Sequence, residues 1–306
     1  MEIVFLGTGS AWCTPEYSCS CAVCNRMNAI GEQRTRTSIL IRDEEHILID
    51  CGPDLRLQMK ANDVTRPDAV LITHEHGDHY LGLDDLLVFR RSVPVDQWSP
   101  IPVYATEKAW ETIDLRFGYL VGTLIDRRIA VPEVPLQDLK ATITPFKTYH
   151  GPSASGSVGY VYETESCGSK FKIVYTSDFM RMDSEPACLT EPDILIMQAN
   201  WLNEPEFNRP NHMSFQSAMA YIRRWKPKKG TYLVHISDMD CIPGDPGNSF
   251  MKKIPPLSPL KNPVTGEAYS IPLCHEEWQE LLNRICDHCE LPQPIFPAGD
   301  GLKVLC

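Results

Sequence analysis

The sequence predicts an α/β fold in which two β-sheets pack face to face with helices on the outside. Short apolar runs rich in β-branched residues recur along the chain, the pattern of strands. Helical patterns fall between some of them, so strands and helices are mixed rather than segregated. Histidine and aspartate stand directly after several of these runs, at the strand ends where a layered scaffold presents its chemistry.

Taken in order, the first strand is Ile3–Gly7, running into the glycine turn Gly7-Thr8-Gly9-Ser10. Strands Thr37–Arg42, His46–Asp50 and Ala69–Thr73 follow, the last built on Ala-Val-Leu-Ile, whose length and branching suit a buried strand. Helical patterns over Leu83–Arg91 and Glu107–Leu115 flank a strand at Ile101–Ala105. The next strands are Ala141–Phe146, Ser157–Glu163, Phe171–Ser177, Asp193–Met197 and Thr231–His235. Between the last two lies the most regular helix, Phe215–Trp225, with Phe215, Ala218, Met219 and Ile222 on one stripe, Ser214 as N-cap and Pro227 as a stop. Beyond residue 240 the chain is rich in proline and glycine, until His275–Cys286 reads as an amphipathic helix. We expect one domain over residues 1–306, with an insertion at about 243–292 before a last strand around Asp300–Val304. The chain has no internal repeat and no low-complexity tract.

Composition narrows the class. The 306 residues carry a net charge of −11, with basic residues scattered and only short clusters such as Arg223-Arg224. Proteins built to hold long nucleic acid present a basic face, so that partner is not expected. No run approaches the apolar length of a membrane span, and Met1-Glu2 leads straight into a strand with no signal-like segment, so a soluble cytoplasmic protein is expected. In a reducing compartment, the 12 cysteines are expected to bind metal or pack in cores.

The chemistry is concentrated in Thr73-His74-Glu75-His76-Gly77-Asp78-His79. His74 and His76 are two apart, so on an extended backbone they point the same way and can share one metal. Gly77 lets the chain turn and aims Asp78 and His79 at a second position. Further ligand-type residues close later strand runs: His150 after Phe146, Asp178 after Ser177, and His235.

This arrangement resembles the H-x-H-x-D-H signature of the metallo-β-lactamase superfamily, whose fold is an αββα sandwich of two mixed sheets flanked by helices. Ile3–Ser10 is similar to its first strand and glycine turn, Ile47–Leu55 to its strand ending in Asp-x-Gly, and Gly82–Leu86 to the branch containing PhnP-like phosphodiesterases and PqqB-like proteins. The resemblance implies that His74, His76 and His150 hold one metal, that Asp78, His79 and His235 hold another, and that Asp178 bridges them. Two divalent ions (Zn or Mn) roughly 3.5–4 Å apart would share a hydroxide, the expected nucleophile. Asp50 is a candidate to accept the free N–H of a ligand histidine, with a strand-end cap as the alternative.

Cys19, Cys21 and Cys24, spaced C-x-C-x-x-C, can close on one tetrahedral zinc that needs a fourth ligand. The loop resembles the structural zinc loop of PhnP-like proteins. Where those carry a histidine, this chain has Asp238, the expected fourth ligand, with Cys241 three residues later as the alternative. Cys286-x-x-Cys289, with Cys274 and His275, could form another site, although free cysteines at a helix end are the plainer reading. His212 falls where phosphodiesterase relatives carry a non-ligand histidine, which implies a general acid for the departing alkoxide. Arg90 and Arg116 could contact substrate phosphate, but surface pairing accounts for them more simply.

The expected function is a dinuclear metal-dependent phosphodiesterase acting on small, including cyclic, phosphodiesters, with Asp78 and His212 in the catalytic set. The alternatives are a tRNA 3′-processing endonuclease, a lactonase or thioesterase, and a PqqB-like accessory protein. A small phosphodiester is the expected partner, a membrane is not, and a homodimer is an arrangement the sequence allows.

Overall fold

The computed structural model describes residues 1–166, 169–292 and 294–306. The strands in chain order are β1 (Glu2–Gly7), β2 (Ser38–Arg42), β3 (His46–Ile49), β4 (Ala69–Leu71), β5 (Ile101–Ala105), β6 (Ile125–Ile129), β7 (Thr142–Lys147), β8 (Val158–Ser166), β9 (Ser169–Tyr175), β10 (Ile194–Gln198), β11 (Gly230–Val234), β12 (Ile295–Pro297) and β13 (Lys303–Leu305). The α-helices are α1 (Ala22–Ile30), α2 (Leu55–Ala61), α3 (Gly77–Tyr80), α4 (Leu87–Arg91), α5 (Glu107–Phe117), α6 (Phe215–Trp225) and α7 (His275–Cys289).

One sheet has seven strands in the order β13-β1-β2-β3-β4-β5-β6, and the other has six in the order β12-β11-β10-β9-β8-β7. Strands β3 to β6 run parallel, as do β9 to β12. β7 is antiparallel to β8 and β8 to β9, so β7 points the same way as β9. The C-terminal ends of β7, β9, β10 and β11 therefore share one edge of their sheet.

Alternation along the strands builds the layers. Ile3 and Phe5 of β1 and Ile39 and Ile41 of β2 face Tyr160, Ile173, Tyr175 and Ile196 of the other sheet, forming the core between the sheets. Val4, Leu6, Leu40, Leu48 and Val70 face outward onto α2 and α5. On the far side, Val161, Val174, Leu195 and Met197 meet α6 and α7. A strand covered on both faces has no polar side, which is why these runs read as continuously apolar. Each fully buried aliphatic or aromatic side chain contributes roughly 1.5–3 kcal/mol relative to exposure. The αββα sandwich is the architecture expected from the sequence.

Helix α6 has the bounds read from the sequence. Ser214 Oγ accepts from Ser217 N (3.1 Å), and Lys226 ends the helix in a left-handed conformation before Pro227. α5 runs two residues past Leu115 because Phe117 is buried against the same core as Ile113. The predicted helix Leu83–Arg91 is a 3₁₀ turn, Leu83–Leu86, followed by the short α4. Two strands were not foreseen. β6, Ile-Asp-Arg-Arg-Ile, is an edge strand of mostly charged residues, and β12 contains Pro297. The segment expected as an insertion is consequently followed by two strands rather than one. Within it, α7 places Trp278, Leu281, Leu282 and Ile285 in the same core as α6. Among the described residues, no helix is long and apolar enough to cross a membrane.

Candidate metal centre

The edges of the two sheets are fastened together beside the signature loop. Val158 N donates to Thr73 O (3.0 Å), and the Tyr160 hydroxyl donates to Ile72 O (2.9 Å). Residues that leave the strands here turn sharply. Asp50, Ser177 and His235 all have positive φ, of 60°, 56° and 57°. For non-glycine residues that conformation is uncommon and tends to mark functional sites. After β3, Gly52 passes so close to the Asp78 carbonyl that a Cβ there would collide with it. His76, still extended at φ −74° and ψ 143°, caps α3, whose first turn carries Asp78 and His79.

Folding brings seven side chains into two groups, and His212 forms a third, overlapping one with His150 and Asp178. The ligand atoms of His74, His76 and His150 lie within 4.8 Å of one another, and so do those of Asp78, His79, Asp178 and His235. Asp178 Oδ2 reaches both groups, at 2.9 Å from His235 Nε2, 3.6 Å from His79 Nε2 and 3.8 Å from His150 Nε2. Asp78 Oδ2 is 3.2 Å from His79 Nε2.

The outer nitrogens of the rings are engaged. His79 Nδ1 meets Asp50 Oδ2 (2.7 Å), His150 Nδ1 meets Asn211 O (2.9 Å) and His235 Nδ1 meets Asn200 Oδ1 (3.2 Å). All three partners are acceptors, so each ring carries its proton outside and turns a bare Nε2 inward. His74 Nδ1 meets the Thr73 hydroxyl (3.0 Å), and His76 Nε2 meets that of Ser153 (3.1 Å).

The inner atoms are the unsatisfied ones. His74 Nε2, His79 Nε2, His235 Nε2 and Asp178 Oδ1 are buried without a hydrogen-bond partner. Orphaned polar atoms converging on one place are costly unless something binds them. Imidazole and carboxylate donors suit zinc or a similar divalent ion, so the residues fit the metals that this ligand order implies.

Electrostatics agree. Burial pushes His74 well below the ordinary imidazole range and His150 down to about 4, leaving both neutral and able to ligate. Burial alone would also lower His79, but the carboxylates of Asp78, Asp50 and Asp178 outweigh it and raise the ring, the mark of a pocket that favours positive charge. For Asp178, burial would raise the carboxyl, yet His235 and His79 pull it well below the carboxylate range.

The sulfur cluster forms where the N-terminal loop meets residues 238–252. Asp238 Oδ2 lies 3.0 Å from Cys24 Sγ, 3.2 Å from Cys21 Sγ and 3.7 Å from Cys19 Sγ, while Oδ1 is buried and unpartnered. Of the two candidates for the fourth position, the structure places Asp238 there. Cys241 is not in the group. Lys252 Nζ closes the cluster from outside, contacting Asp238, Cys19 Sγ (3.2 Å) and Glu16 (2.9 Å).

Other candidates are not brought together. Cys286 is buried in the core with α6 and α7, His275 Nδ1 lies 3.3 Å from Arg34, and no metal-type group forms around Cys274 and Cys289 among the described residues. Arg90 and Arg116 are exposed on α4 and α5. His212 sits between the two ligand groups, its ring centroid 4.7 Å from that of His150 and 4.8 Å from that of His235. Sequence reasoning missed Gln198 and Asn200, whose side chains contact His212 and His235. The same signal pointed to them, since both are polar residues at the end of an apolar strand.

Comparison with known proteins agrees with this geometry. A ribonuclease Z from Pyrococcus abyssi (strain GE5 / Orsay) is 30% identical over 185 residues, spanning 56% of this chain and 51% of that protein. An octanoyltransferase from Porphyromonas gingivalis (strain ATCC BAA-308 / W83) is 36% identical over 162 residues, 49% of this chain but only 31% of that one. The chain thus matches about a third to a half of the length of these relatives. Among solved structures, a diphosphatase of the PhnP family superposes with a TM-score of 0.69 at 25% identity, covering 100% of this chain and 97% of that one. The beta-lactamase superfamily domain matches residues 45–236, a span that takes in all seven side chains of the two ligand groups, and the chain belongs to that family.

Proposed function

We infer that this protein is a metal-dependent phosphodiesterase acting on small phosphodiesters, cyclic ones included. The observation that carries the reading is His212, an imidazole set between the two ligand groups but hydrogen-bonded differently from the ligand histidines. Its Nε2 has no protein partner among the described residues, so it is free to donate to a leaving oxygen.

In this reading His74, His76 and His150 hold one ion, Asp78, His79 and His235 the other, and Asp178 is shared. Bound there, two divalent cations such as zinc or manganese would supply Lewis acidity to the phosphoryl oxygens and acidify water. The chain's own residues do the positioning. Asp50, Asn211 and Asn200 fix three ring tautomers, the shared carboxylate holds the two ligand groups in register, and His212 serves the departing alkoxide, which is a poor leaving group without a proton donor. Cys19, Cys21, Cys24 and Asp238 would hold a separate structural zinc.

Likeness to a PhnP-family diphosphatase over the whole chain supports phosphoryl chemistry. Similarity to ribonuclease Z favours a second reading, an endonuclease acting on tRNA 3′ ends. A net charge of −11 weighs against a long polyanionic substrate. The test is a panel of cyclic and alkyl phosphodiesters, an aryl diester, a tRNA precursor, a thioester and a lactone, assayed with zinc- and manganese-loaded protein. Turnover of the small diesters is expected. Efficient cleavage of the tRNA precursor without it would establish the second reading, and turnover of the thioester or lactone alone would remove both.

A further inference from the structure

We propose that Gln198 is a positioning residue that locks His212 in the Nε2–H tautomer, keeping it a hydrogen-bond donor and out of the metal-ligand set. The donor's use in phosphodiester cleavage rests on the function inferred above, whereas the lock itself does not.

The contrast among the histidines carries the assignment. His79, His150 and His235 each turn an outer nitrogen toward an acceptor, which leaves the inner nitrogen bare. His212 is wired the other way. Its Nδ1 lies 2.7 Å from Gln198 Nε2, and an amide nitrogen can only donate. Nδ1 must therefore accept, and the ring's hydrogen is placed on Nε2.

The amide cannot turn over to relieve this. Gln198 Oε1 accepts from the backbone N–H groups of Phe179 (2.9 Å) and Met213 (3.0 Å). A flipped amide would set its NH₂ against both of those donors, deep in the protein where Gln198 is fully buried. Met213 follows His212 directly and Phe179 follows Asp178, so one side chain fixes the register of both loops and the tautomer of the ring between them.

The lock has an alternative to exclude. Asp178 Oδ2 lies 3.5 Å from His212 Nδ1. Without the Gln198 donor, that carboxylate would draw the hydrogen to Nδ1 and leave Nε2 bare, as in the ligand rings. His212 would then match the ligands beside it.

The experiment is two-bond ¹H–¹⁵N correlation spectroscopy of histidine-labelled, zinc-loaded protein, with the His212 signals identified by their loss in His212→Gln. Wild type is expected to show the Nε2–H pattern for His212. Gln198→Glu keeps an oxygen for Phe179 and Met213 but replaces the donor by an acceptor, and the hydrogen should shift to Nδ1. A wild-type protein with the hydrogen on Nδ1 overturns the lock, as does a folded Gln198→Glu protein with an unchanged pattern. Should Gln198→Glu fail to fold, the wild-type spectrum decides alone. A confirmed tautomer in a protein that hydrolyses no diester would leave the lock standing and remove the phosphodiesterase reading.

Discussion

Replacing Asp50 by asparagine leaves no orientation of the amide that accepts from both the Thr73 N–H and His79 Nδ1. One carboxylate oxygen accepts from the Thr73 N–H (2.9 Å), and the other accepts from His79 Nδ1 (2.7 Å). Asparagine has only one oxygen to offer. If it faces Thr73, the new NH₂ confronts His79 Nδ1 and forces the hydrogen to Nε2, the nitrogen the centre needs bare. If it faces His79, the Thr73 N–H loses its acceptor in a fully buried place, at a cost of about 1–3 kcal/mol. Losing the outer partner of a ligand histidine typically weakens metal binding ~10–100-fold, equivalent to about 1.4–2.8 kcal/mol. The two outcomes cost nearly the same, so the variant should divide between them, with weaker metal binding and reduced stability. Competition with a chromophoric chelator measures the first effect and urea denaturation of the chelator-treated protein the second. An Asp50→Asn protein with unchanged metal affinity and an unchanged urea midpoint would refute the reasoning.

Other outcomes follow from the same geometry. Asp178→Ala removes the one carboxylate among the described residues that reaches both groups, so metal content by elemental analysis should fall and turnover should drop far more than for a surface Asp→Ala. Two retained metals with near-normal turnover would remove the shared role. After mild chelation, about one tightly held zinc should remain per chain, and the triple variant Cys19→Ser, Cys21→Ser, Cys24→Ser should lose it and melt earlier. Unchanged zinc content and melting would dismiss the sulfur site. His212→Ala should slow an alkyl or cyclic diester by roughly 10²–10⁴-fold and an activated aryl diester much less, and equal losses on the two substrates would take His212 away from the leaving group.

Much of this protein was legible one residue at a time. The αββα architecture follows from buried strands that read as continuous apolar runs, and α6 from its stripe, its Ser214 cap and Pro227. His74, His76, Asp78, His79, His150, Asp178 and His235 stood out because metal ligands at strand ends differ in kind from what packing requires there. The failures have equally local causes. β6 has charges where a strand signal needs apolar residues, β12 is short and contains proline, and α1 lay hidden behind the cysteine run that caps it.

Tertiary structure decided what depends on partners distant in the chain. On paper Asp238 was the fourth ligand and Cys241 its alternative. Asp238 meets Cys24 across 214 positions, and only the packing of residues 238–252 against the N-terminal loop brings one and not the other within reach. The grouping of the histidines was decided in the same way. Sequence determined which residues could bind a metal, because side-chain chemistry and spacing are properties of the chain. Which ring nitrogen carries the hydrogen was set by the acceptors of Asp50, Asn200 and Asn211 and by the donor of Gln198, because a tautomer answers to the atoms around the ring rather than to its neighbours in sequence.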